Sequence, residues 1–223
     1  MDVIEAIQTR RSVRAFLPTP VPKEKIVEIL QCAARAPSGT NMQPWKVYVV
    51  TGAVKEALTK ETLARRETET GKHAPEYKYY PDEWFEPYTS RRKKVGLDLY
   101  SLLGLTKENM QGMRAQQGRN YEFFGAPVGL FFAIDKRLEI GSWFDYGMFV
   151  ENVMLVARAK GLHTCPQASW PVFHDIIREH LGIPQGEAIV CGMALGYMDE
   201  AAPENQLQTE RAALSDFSRF IGF

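Results

Sequence analysis

The chain has 223 residues, in which 27 Lys and Arg balance 27 Asp and Glu; at about 100–200 residues per domain this is one large domain or a domain with an excursion. A formal net charge of zero argues against gripping a phosphate backbone, and three cysteines (Cys32, Cys165, Cys191) without CxxC spacing argue against a disulfide framework or a zinc site. The N-terminus lacks the apolar core of a secretory leader and no apolar run approaches the ~18 residues of a membrane span, so a cytoplasmic protein with neither nucleic acid nor membrane as partner is expected.

Asp2–Thr9 is apolar at positions 3, 4, 6 and 7, which predicts a short amphipathic helix delivering its end to Arg10 and Arg11. The prolines of LPTPVP forbid a helix interior; Lys23–Arg35 then resumes helical spacing and stops at Pro37-Ser38-Gly39. Lys46–Thr51 predicts a strand, and Ala53 to about Thr70 an exposed, charged helix. Residues 71–95, GKHAPEYKYYPDEWFEPYTSRRKKV, keep no period and predict an inserted excursion, loop-rich with helical turns. It is either a solvated loop with locally packed aromatics or a wall over a ligand pocket.

Leu97–Leu105 and Lys107 to about Phe123 predict two helices parted near Gly104. The run VGLFFAI at Val128–Ile134 predicts a strand buried on both faces. Trp143–Lys160 predicts a long helix apolar on nearly every side, which one domain of this size cannot surround; a second subunit is its natural cover, and a homodimer is expected. Leu162–Cys165 predicts a strand, Val172–Leu181 a helix ended by Gly182, and Ala188–Tyr197 a buried strand in which Gly192 and Gly196 signal close packing. The tail from about Ala201 starts polar and ends on Phe217, Phe220 and Phe223, so it is expected to dock, either on its own subunit or around a neighbour. Strands interleaved with helices predict a three-layer α/β arrangement in a single domain over residues 1–223.

Arg10-Arg11-Ser12-Val13-Arg14 places three guanidinium groups and a hydroxyl within five residues. Guanidinium is a planar donor fork that fits phosphate, and in an extended segment Arg10, Ser12 and Arg14 would point one way and Arg11 the other; the alternative is a solvated basic patch. The four histidines show no metal-ligand spacing, and there is no GxSxG elbow, GxxxxGK[ST] loop or GxGxxG turn. An enzyme built this way would borrow its chemistry from a cofactor.

RRSVRAF, APSGTNMQPWKVYVV about twenty residues later, GLHTCPQ after an apolar helix, the strand VCGMALGY and a downstream Arg211 together resemble the nitroreductase family of flavin enzymes, and within it the nitrobenzoate reductase subgroup. The resemblance covers nearly the whole chain outside residues 71–95. It implies an α+β fold, a three-layer αβα arrangement with a mixed sheet flanked by helices, and an intertwined homodimer with FMN at each of two interface sites. Carried over, Arg10, Ser12 and Arg14 would hold the FMN phosphate and ribityl chain, Arg11 would lie near the pyrimidine edge or ribityl, and Arg211 would close on the phosphate. Pro37, Ser38, Gly39 and Asn41 would come from the partner subunit, with Gln43 nearby and the tail docked on the partner; Pro166, Gln167, Ala168 and Ser169 would line the isoalloxazine. Two departures stand out: Gln167-Ala168 replaces a Glu-Gly pair, and Arg119-Asn120 replaces an Asn-to-Lys spacing.

The implied reaction is hydride transfer from NADH or NADPH through FMN N5 to a small nitroaromatic or quinone acceptor by a ping-pong mechanism, without a catalytic side chain. Trp84, Phe85, Tyr88, Phe123 and Phe124 are expected to offer π faces to a flat acceptor. The alternatives are other flavin chemistry on the same fold (enone reduction, dehalogenation, flavin cleavage) or a flavin-binding protein without turnover.

Overall fold

The computed structural model describes all residues, 1–223. Helix α1 (Val3–Thr9) starts where the Asp2 carboxylate accepts the Glu5 amide at 2.8 Å, relieving one of the unpaired N–H groups of a first turn. An extended segment follows, then α2 (Lys23–Ala33), which buries Ile26, Ile29 and Ala33. Strand β1 (Lys46–Val50) and α3 (Gly52–Thr68) come next. Beyond the 69–87 loop lie α4 (Tyr88–Leu102), α5 (Met110–Gly118) and a 3-10 turn over Arg119–Gly125. Strand β2 (Val128–Asp135) leads into α6 (Ile140–Ala159) and β3 (His163–Gln167). A 3-10 turn at Trp170–Phe173 opens α7 (His174–Leu181), whose end is capped by Gly182 at φ 63°. Strand β4 (Glu187–Gly196) and a tail carrying the short α8 (Leu214–Phe217) finish the chain.

The strands form one sheet in the order β1-β2-β4-β3. All three pairings are antiparallel, so the expected mixed sheet is corrected; the parallel contact is the isolated bridge between Ser12 and Thr164. A continuous apolar strand reports burial on both faces, not direction, and β2 shows it: Phe131 belongs to a core with Trp170, Ile176 and Leu58, while Phe132 belongs to a second core with Phe149, Tyr146 and Ile29. Helices α3 and α7 cover the first face, α2 and α6 the second, giving the three layers. The paired glycines of β4 meet neighbours closely. A Cβ on Gly192 would stand 2.2 Å from Trp170 Cδ1, and one on Gly196 2.8 Å from Pro127 Cδ.

Two helix expectations are revised. The helix placed at Leu97 starts at Tyr88, inside the excursion. The helix expected through Phe123 ends at Gly118 and tightens into the 3-10 turn, within which Phe123 and Phe124 adopt φ of 51° and 54°, a left-handed backbone that no α-helix continues. Helix α6 leaves Ile140 and Phe144 at 85% and 73% exposure, an apolar face with no cover in one chain.

Candidate active site

The arginine segment is fixed from both sides. Val13 is fully buried and its N–H donates to the Thr164 carbonyl at 3.1 Å. The Arg14 N–H donates to Asn205 Oδ1 at 2.8 Å, and Asn205 Nδ2 returns a bond to the Ala15 carbonyl at 2.8 Å, so the start of the tail is tied to the arginines. Arg10, Arg11, Arg158, His163 and Arg211 line one cavity of about 960 Å³. Simple alternation put Arg10 and Arg11 on opposite sides. The cause of the difference is that Arg10 is the C-cap of α1, so strand-like alternation begins only after it and the two long side chains reach the same opening. Ser12 and Arg14 are not among the lining residues; the Arg14 guanidinium donates to the Ser12 carbonyl at 3.2 Å.

Arg158 and His163 were not foreseen. They flank Gly161 at the end of α6 and the start of β3, and the basic residue in a last helical turn was the only signal in RAKGLH. Burial, then the charges of Arg158 and Arg11, pulls the His163 pKa down to about 4. The cavity therefore resists one more cation and suits an anion.

The end of β3 carries the second group of expected residues. Gln167 is 2% exposed; its Nε2 donates to the Asn120 carbonyl, while Oε1 is buried without a partner, as is Ser169 Oγ. Unpaired buried polar atoms are costly, and two of them at one strand end fit a ligand with a polar edge. Pro166, Gln167 and Ala168 also form one side of a second cavity of about 830 Å³, whose other walls include Tyr77, Trp143 and Val150. Arg119 pairs with the buried Glu204 and so braces the tail rather than either cavity.

The turn at 37–43 is strongly shaped: Thr40, Asn41 and Gln43 have φ of 48°, 59° and 50°. Gly39 N–H donates to Asp145 Oδ2 at 3.0 Å, and Gln43 N–H to Ser38 Oγ at 3.0 Å. Anchored on α6 in this way, no residue from Pro37 to Gln43 lines either cavity of its own chain.

The aromatic expectations divide. Trp84, Phe85 and Tyr88 come together, with Tyr80, around a small opening of about 440 Å³, and the Arg92 guanidinium lies 4.6 Å from the Trp84 ring centre. Phe123 and Phe124 offer no face to an acceptor. They are core residues at 0% and 3% exposure, and Phe123 packs at 4.7 Å on Trp170 and directly over Gly129; their positive φ turns the rings inward.

The family model described as "Nitroreductase family" matches residues 7–197. The chain belongs to the nitroreductase family. Among its relatives, the 4-nitrobenzoate reductase of Pseudomonas putida is 41% identical over 223 residues, spanning 100% of this chain and 96% of that one. The chloronitrobenzene nitroreductase of Comamonas testosteroni is 38% identical over 97% of this chain and 96% of that one. The crystal structure of the FMN and NADPH-dependent nitroreductase NfnB from sphigopyxis sp. strain HMH superposes at a TM-score of 0.96, with 38% identity and full coverage of both chains. The nitroreductase family thus accounts for the α+β architecture, the excursion included.

Proposed function

We propose that this chain is an FMN-dependent oxidoreductase that passes hydride from NADH or NADPH to nitroaromatic or quinone acceptors. The observation that carries this reading is the pairing of a cationic cavity with an unsatisfied polar strand end: Arg10, Arg11, Arg158 and Arg211 at one place, Gln167 Oε1 and Ser169 Oγ at the other. A molecule with a phosphate at one end and a polar-edged ring at the other satisfies both. Full-length relatives that reduce nitroarenes support the same reading.

In this assignment Arg10, Arg11, Arg158 and Arg211 would hold the phosphate, and Ser12 and Arg14, which do not line the cavity, would serve the ribityl chain. Pro166 to Ser169 supply a wall, and Gln167 and Ser169 bond the ring edge. When bound, FMN supplies the hydride chemistry for which the chain has no acid–base or nucleophilic constellation. The side chains then act by binding, orientation and exclusion of water. One site used in turn by donor and acceptor would make the kinetics ping-pong.

A homodimer belongs to the proposal. Val3, Ile4 and Ile7 of α1, Phe144 of α6 and Phe217, Phe220 and Phe223 of the tail are all more than half exposed in the single chain, and so many large apolar side chains left uncovered favour a second subunit as their cover. The strained turn from Pro37 to Gln43, which lines neither large cavity of its own chain, would then reach the flavin edge of the second subunit, and the tail would dock on it. No helix is long and apolar enough to cross a membrane; a cytoplasmic setting is part of the proposal. The purified protein is expected to carry or take up FMN and show a flavin spectrum; a protein that remains colourless after incubation with FMN overturns the reading.

A further inference from the structure

The acceptor site is a separate question from the cofactor site, and two aromatic-lined cavities compete for it. The smaller, around Trp84, Phe85 and Tyr88, includes none of the residues at the end of β3. The larger includes Pro166, Gln167 and Ala168. Its facing wall comes from the first half of the excursion: the Tyr77 and Trp143 ring centres lie 4.7 Å apart, Tyr77 and Tyr79 6.4 Å, and Tyr79 and Tyr80 4.6 Å. The charged side chains on its lining are Lys78, paired with Asp82, and Glu139.

That wall is clamped from outside the cavity. Glu76 accepts from Lys136 Nζ at 2.6 Å and from Arg178 Nη2 at 3.1 Å, and the Arg178 guanidinium, 7% exposed, also donates to the Glu187 carbonyl at 2.6 Å. Burial pushes the Glu76 carboxyl up, but the bonds from Lys136 and Arg178 outweigh it and hold the group below the ordinary carboxylate range, hence ionised. One residue on, the Tyr77 hydroxyl donates to the Val190 carbonyl of β4. A segment that would otherwise be a loose loop is thus fixed at two adjacent residues, one ionic and one neutral.

We propose that the cavity between residues 77–80, α6 and the end of β3 is the acceptor-ring site, taking a flat aromatic ring edge-on or stacked against Tyr77, Tyr79 and Trp143, and that Glu76 is the positioning residue that holds its wall. The inference rests on the flavin reading above, because the cavity gains its role from the 166–168 wall it shares with the cofactor. The cavity of about 830 Å³, part of which the flavin ring would take along the 166–168 wall, is of the ~300–1,000 Å³ size of small-molecule sites, and a largely apolar lining selects ring shape over charge. The excursion is then a specificity element rather than a solvated loop, and the opening around Trp84 is a surface feature beside it, joined through Tyr80, which lines both.

The test uses the FMN-loaded enzyme and two acceptors: a two-ring nitroarene, which needs the wall, and ferricyanide, which takes single electrons and needs no ring stacking. Tyr79 is 57% exposed, so Tyr79→Ala leaves the core intact. Loss of an aromatic partner is expected to raise KM for the nitroarene by up to about ten-fold, with kcat changed far less and with the ratio of nitroarene to ferricyanide reduction at low acceptor concentration falling by a similar factor. Glu76→Gln, which keeps volume and removes the ion pairs, is expected to move KM in the same direction with FMN retention unaltered. An unchanged nitroarene KM in both variants, or a KM that responds to Trp84→Ala alone, overturns the site. Failure of the unmodified enzyme to reduce ferricyanide instead defeats the flavin reading on which the site rests.

Discussion

At the scale of single residues, cation placement decides what the protein can hold. Charge-assisted bonds contribute about 1.5–3 kcal/mol each, so Arg211→Ala or Arg10→Ala is expected to weaken FMN binding by roughly ten- to a hundred-fold, measured by fluorescence titration of the apoprotein. Unchanged affinity in both would show the phosphate assignment wrong. His163 adds a pH signature. Its pKa is about 4 in the fold against an ordinary 6.5, so the unfolded chain binds a proton before the folded one does. Stability is therefore full above about pH 6.5 and declines as pH falls from there to about 4. Denaturant melts of the apoprotein across that window should flatten in His163→Gln; an identical slope in the variant contradicts the assignment. The sequence named the arginine cluster and Pro166 to Ser169 because residue type and order carry them, and the structure brings Arg10, Arg11 and Arg211 to one cavity and Pro166, Gln167 and Ala168 to another. Arg158 and His163 were not legible there, since they reach the cavity only through the packing of α6 against β3.

At the scale of elements, the sequence was most readable where a period or a breaker is local. The starts and ends of α2, β1, α3, β2 and β4 follow from periodicity, prolines and glycines within a residue or two. The excursion failed that test: α4 begins at Tyr88 amid aromatic and charged residues with no buried stripe, so no apolar repeat announced it. Phe123 and Phe124 were misread because composition cannot show a left-handed backbone. The GxxxG of β4, by contrast, was a correct reading of close approach, and it has a consequence. With the Trp170 ring against its backbone, Gly192→Ala must displace a fully buried indole. Overpacking of this kind costs about 1–3 kcal/mol, to be read as a lower Tm in thermal unfolding; an unchanged Tm would mean that Trp170 moves freely, contrary to the packing described.

At the scale of the whole molecule, the proposed homodimer rests on what the single chain leaves uncovered. That chain leaves apolar side chains on α1, α6 and the tail exposed, and the strained turn at residues 37–43 lines neither of its two large cavities. Both observations are met by a second copy, and light scattering should give about twice the 25.3 kDa of the chain. Removing residues 214–223 should shift the equilibrium towards monomer and loosen FMN, whereas a full-length protein that runs as a monomer with FMN tightly bound would separate the cofactor site from the dimer. The central claim, flavin-mediated reduction of nitroarenes, is tested most directly by initial rates of NADPH oxidation by the FMN-loaded protein, with NADPH and 4-nitrobenzoate varied together. Parallel double-reciprocal lines, the mark of one site used in turn, are expected; no stimulation of NADPH or NADH oxidation by 4-nitrobenzoate or by a quinone would contradict the account.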